Sequence, residues 1–106
     1  MTTFLVLYRS ATSAAERMAT TDPDAGAASI EAWMRWATAA GEALVDLGAP
    51  TQSLTGADGR SQSHISGYSL MQAEDLPTLE RLLAEHPHRA DGGTIEVLEV
   101  LAVPGM

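Results

Sequence analysis

Cysteine is absent from this 106-residue chain, and so is lysine. Without cysteine there is no disulfide, no thiol nucleophile and no thiolate metal site, and nothing in the count favours one redox compartment. Without lysine the cations are six arginines, Arg9, Arg17, Arg35, Arg60, Arg81 and Arg89, scattered against fourteen carboxylates. A formal charge of −8 with no basic cluster argues against nucleic acid as a partner and describes a solvated acidic surface. No apolar run approaches the roughly 18 residues needed to cross a bilayer, so no membrane partner is expected. The apolar stretch 3–8 has neither preceding positive charges nor a small-residue cleavage site. It is not read as a signal peptide, and a cytoplasmic location is expected.

What the chain does carry is hydrophobic patterning. Phe4, Leu5, Val6, Leu7 and Tyr8 form a continuous apolar run, which predicts a strand covered on both faces. Residues 11–26, rich in Ala, Ser, Thr and Asp, read as a mobile loop with a short helical turn at 13–18. From 27 to 47, Ile30, Trp33, Met34, Ala37, Gly41, Leu44 and Val45 recur at the spacing of one helix face. Ser29 or Asp24 caps that helix, Gly48 stops it, and Trp36 falls on the flank of its stripe. Residues 49–55 are a strand candidate that Pro50 confines to a strand start or an edge, and 65–72 form another strand. Asp75 caps a second helix carrying Leu76, Leu79, Leu82 and Leu83 on one face. His86 continues that face, Pro87 ends it, and Gly92-Gly93 turns the chain into a last strand, 94–103, apolar on both sides.

The order strand, helix, strand, strand, helix, strand predicts an α+β fold: a ferredoxin-like βαββαβ subunit with a four-stranded antiparallel sheet and both helices on one face. The whole length, 1–106, is one domain. Strands apolar on both faces in so small a domain predict a homodimer packed sheet to sheet.

Residues 85–100, EHPHRADGGTIEVLEV, resemble the C-terminal signature of the YCII-related family, whose members end a helix in His-Pro or Asp-Pro, turn at Gly-Gly and enter a strand of Ile-Glu-Val type. The first strand ending in Tyr8, the Leu-Val-Asp-x-Gly pattern at 44–48 and the Gly67-Tyr68 strand agree with it. The resemblance implies a dimeric α+β barrel enclosing a small-molecule cavity. Asp58-Gly59 matches half of the Asp-Gly-Pro-Phe motif of one subgroup. The His-Asp pair proposed for some members does not carry over: the first helix has no histidine, and His86 stands where the aspartate would be.

Among residues able to carry chemistry, His86 on a leucine face is the candidate catalytic group, a partly desolvated imidazole suited to proton transfer. Its structural alternative is a helix-ending histidine bonded to a last-turn carbonyl. Arg60, Ser61, Ser63 and His64 form a polar patch in which an arginine can hold an anionic group. Tyr8, Trp36 and Tyr68 are candidate substrate-binding residues alongside Arg60 and His64. His88 and Asp91 lie in the turn after Pro87, and His88 and Arg89 are read as solvent-exposed. The spacing H-x-H-x-x-D matches no known metal signature, so neither metal nor cofactor is expected. The reading is a protein that binds or transforms a small molecule in a cavity near His86, with a non-catalytic dimeric accessory protein as the alternative.

Overall fold

The structure, a computed structural model, describes residues 1–56, 58–60 and 62–105. Its spine is β1 (Thr2–Ser10), a central strand paired antiparallel with β3 (His64–Ala73) on one side and β4 (Thr94–Glu99) on the other. β2 (Leu44–Asp46) pairs with β3, giving the order β2-β3-β1-β4. That is the expected ferredoxin-like sheet, with the first and third strands at its centre.

Alternation along β1 and β3 sends Phe4, Val6, Tyr8, Ser69, Met71 and Ala73 to the helix-covered face. Leu5, Leu7, Leu70 and Leu98 share the other face, where the register sets Leu5 opposite both Leu70 and Leu98. The pairing slips between Tyr8 and Arg9, leaving Ser66 as an extra residue whose hydroxyl donates to the Tyr8 carbonyl at 3.1 Å.

Four helices follow in chain order: α1 (Ala14–Thr20), α2 (Pro23–Ala40), α3 (Leu76–Leu83) and α4 (Pro87–Ala90). α3 starts as expected. The Asp75 carboxylate accepts from the Thr78 amide, and the Thr78 hydroxyl and amide together hold that carboxyl below its ordinary range. Leu79 and Leu83 are fully buried in one cluster with Phe4, Val6, Trp36, Ala40 and Met71.

Several expectations are corrected. Residues 11–26 contain α1 and the start of α2, whose cap is Asp22, with Pro23 in the first turn, rather than Ser29 or Asp24. α2 ends at Ala40, because Gly41 takes a φ of +57° and a single 3-10 turn (Gly41–Ala43) delivers the chain into β2. Leu44 and Val45 therefore belong to the edge strand and not to the helix. Pro50 contributes only an isolated bridge to Gly67. On α2 the buried side chains are Trp36 and Ala40, whereas Ile30 and Met34, expected inside, are exposed. β4 stops at Glu99, so 100–103 is not strand, although the Val100 amide still donates to the Thr3 carbonyl.

Candidate functional site

A cavity of about 530 Å³ lies between the first half of α2, α1, the 47–50 connection and the sheet. Tyr8 and Trp33 form its inner wall, ring centroids 4.9 Å apart and planes at 79°, so two aromatic surfaces meet at a corner. Met18, Ile30 and Met34 line it with half or more of their surface exposed, which places them at the mouth. Its floor is bare backbone at Gly48 and Gly67. A Cβ on Gly48, whose φ is +82°, would sit 1.8 Å from the Tyr68 carbonyl oxygen, and one on Gly67 would lie 3.3 Å from the Ala49 oxygen. Glycine at both places lets the 47–50 connection lie directly on β3.

The Tyr8 hydroxyl is committed. Ser69 Oγ donates to the Leu47 carbonyl at 2.7 Å, so toward Tyr8, also at 2.7 Å, it can only accept. Burial, opposed by the Ser69 bond, pushes the Tyr8 phenol up to about 12. Tyr8 thus offers a ligand its ring, with its proton held in the Ser69 bond.

His86 is 1% exposed. It stacks on Tyr8 at 4.7 Å and meets Trp33 and Trp36 edge-on at 4.4 and 4.3 Å. It lies beyond the end of α3, as cap of α4, rather than on the α3 face where the leucine spacing sets it. Its Nδ1 accepts from the His88 amide at 3.0 Å. An amide can only donate, so Nδ1 is bare and the proton of the neutral ring sits on Nε2. That Nε2 is buried without a hydrogen-bond partner among the described residues. Burial first, then the neighbouring His88 and Arg89, pulls the His86 pKa down to about 4. His86 does not line the cavity; Tyr8 and Trp33, which it touches, do.

His88 does line it. Expected in solvent, it is instead 3% exposed, because β1 brings the Arg9 carbonyl to 2.7 Å from its Nε2. A carbonyl only accepts, so the proton of the neutral ring is on Nε2 and Nδ1 carries a lone pair. Nδ1 bonds to no described residue, and it is not among the polar atoms closed off from solvent. The His88 pKa is lowered, chiefly by burial, against the raising effect of the Arg9 carbonyl. Arg17 and Asp91, 3.9 Å apart, stand at the same end of the cavity.

Of the residues singled out from sequence, Tyr8 and Tyr68 are brought together at the cavity. Trp36 is in the core, its Nε1 donating to the Leu82 carbonyl at 2.8 Å. Arg60 is largely exposed and pairs with Asp58. His64 opens β3 opposite Ser10, with Nδ1 buried and unpartnered among the described residues. Ser61, the fourth member of the expected polar patch, lies outside the described residues. The burial of His88 leaves a trace in the paired glycines that only the structure explains: Gly92 takes the left-handed φ of +87° that the turn needs, whereas Gly93 does not. A second glycine with no φ to serve marks a close approach. A Cβ on Gly93 would stand 2.2 Å from His88 Nε2.

Among the described residues no three His, Cys, Asp or Glu stand close enough together to hold a metal ion. No described helix is long and apolar enough to cross a membrane. Fold and site together define a small α+β protein with an aromatic-walled cavity at one end of its helical layer. No family model matches the chain, and a comparison with characterised proteins gives no match. Among solved structures it is similar to 5-chloro-2-hydroxyhydroquinone dehydrochlorinase from Burkholderia phenoliruptrix AC1100, in complex with 2,5-dihydroxybenzoquinone. The two are 21% identical with a TM-score of 0.48, over 89% of this chain and 90% of the other. At that level the likeness speaks to neither substrate nor mechanism.

Proposed function

We propose that this protein is a YCII-related subunit that binds a small organic molecule between its sheet and its helices. The observation that carries the reading is the cavity of about 530 Å³ itself, within the size range of ligand sites and walled by Tyr8, Trp33 and Tyr68. Apolar side chains at its mouth that remain exposed, Met18, Ile30 and Met34, are what a ligand would cover. In this reading His86 is a positioning residue. It fixes the Tyr8–Trp33 corner through ring contacts and the start of α4 through the His88 amide.

Ligand-observed NMR with a library of aromatic fragments tests it. Saturable binders are expected, with shift changes at Tyr8, Trp33 and Tyr68 and weaker binding in Met34→Arg, which puts a charge at the mouth. A library without one saturable binder would end the proposal.

A second reading concerns the uncovered side of the sheet. We propose that another copy of the chain packs there, supported by the apolar strip Leu5, Leu7, Leu70 and Leu98 and by an adjoining groove of about 470 Å³ beside Leu54 and Ile65. Sedimentation velocity should show a dimer at micromolar concentration that Leu5→Glu dissociates. A wild-type monomer at that concentration would exclude it.

A further inference from the structure

We propose that His88 sets the specificity of the cavity: its Nδ1 accepts a hydrogen bond from the hydroxyl of an uncharged, planar ligand that lies on the glycine floor. The inference rests on the reading that the cavity holds a small molecule, and adds the chemistry of that molecule.

Three observations meet here. First, the ring is fixed from both sides. The Arg9 carbonyl holds Nε2–H at 2.7 Å, and the His86 Nδ1 holds the His88 amide at 3.0 Å. The tautomer is imposed by the Arg9 carbonyl, and the ring atom left over, Nδ1, is an acceptor. Second, the lining joins aromatic rings to backbone. The rings of Tyr8 and Trp33 meet at 79°, and Gly48 and Gly67 add backbone without side chains to the wall. A cavity of about 530 Å³ so lined suits one or two fused rings.

Third, the charges near His88 select against ions. An anion has no proton to give Nδ1, and it would meet the carboxylates of Asp22 and Asp91 on the lining. A cation could donate, but it would meet the Arg17 guanidinium at the same end of the cavity. A neutral O–H is what remains. The buried imidazole, less readily protonated than a free one, keeps its lone pair available.

The experiment uses the full chain and three probes of one shape, naphthol, its methyl ether and naphthoate, titrated by calorimetry at neutral pH. Naphthol should bind about tenfold more tightly than the ether, the worth of one well-placed hydrogen bond, and naphthoate more weakly than either. The preference for naphthol over the ether should disappear in His88→Leu. It should also fall in Gly93→Ala, which forces the ring aside without straining the backbone, with folding of both variants checked by circular dichroism.

The preference should also fade as pH falls through the His88 pKa, below the ordinary histidine value. The groups facing that ring are Arg17 from α1, Tyr8 and the Arg9 carbonyl from β1, the Thr94 backbone from β4, and His86 and Asp91 from its own turn. Equal affinity for naphthol and its ether in the wild type would overturn the role of His88 while leaving the cavity reading intact. So would an undiminished preference in a folded Gly93→Ala. Failure of all three probes to bind would remove both.

Discussion

Two sides of α2 carry apolar residues in opposite surroundings. On one side, Trp36 and Ala40 join Leu79, Leu83, Met71 and Phe4 in a closed core. On another side of the helix and nearer its start, Ile30 and Met34 stay open, at 66% and 51% exposure. The difference lies in what stands opposite. Trp36 and Ala40 face the buried side chains of β1, β3 and α3; Ile30 and Met34 border the cavity. Trp33, touching both Tyr8 and His86, is the partition between them. An apolar helical stripe therefore records that something apolar lies across from it, without saying whether that is protein or ligand.

Three measurements sharpen or break this contrast. The largest effect should come from the closed end. Leu83→Ala leaves a hole in a fully buried site and should cost about 2–5 kcal/mol in chemical denaturation, with fragment binding at the cavity unchanged. Loss of that binding in a folded variant would show that the two ends are not independent.

Next comes the partition. His86 titrates near its ordinary 6.5 when unfolded and at about 4 when folded, so between these values the unfolded chain binds more protons. Stability should be complete above about pH 6.5 and fall progressively toward pH 4, by roughly 3 kcal/mol in all, with His88 adding in the same direction. His86→Phe should flatten much of that slope, and a wild-type curve level across the window would contradict the assignment.

The smallest effect belongs to the open end. Ile30→Ala should change stability by no more than about 0.5 kcal/mol, because the side chain is packed against little. It should still weaken fragment binding severalfold, and a large loss of stability would mean that the open end is closed in solution.

Much of the fold was legible from the sequence because its signals are local. The apolar run of β1, the two-faced strand of β3, the Asp75 cap with its leucines, and the Gly92-Gly93 turn each depend on a few neighbouring residues. The edge strand was not legible, since Leu44 and Val45 continue the three-and-four spacing of α2 by coincidence. The spacing puts Gly41 within the helix stripe and Gly48 at its stop, and both have positive φ. Only the packing of Gly48 against Tyr68 shows that the second belongs to a loop on β3.

At the site, the aromatic residues Tyr8 and Tyr68 could be named from the chain. The part played by His88 could not, because the group that buries it, the Arg9 carbonyl, lies 79 residues away. His86 illustrates the opposite difficulty. Its leucine-spaced position predicts burial, which is what the structure has, but the helix carrying that spacing ends at Leu83.

The three-residue edge strand also governs how the sheet can grow. β2 offers almost no free ladder, and the proline at position 50 cannot donate to one, so this margin is a poor template for another chain. The opposite margin, β4, is six residues long and carries Glu96, paired with Arg9 at 2.7 Å, and the exposed Glu99 within it. Strand addition and the early steps of aggregation are thereby directed to one side of the molecule, where carboxylates on each arriving copy would repel one another. Neutralising Glu99 would weaken that protection while leaving the Arg9–Glu96 pair in place.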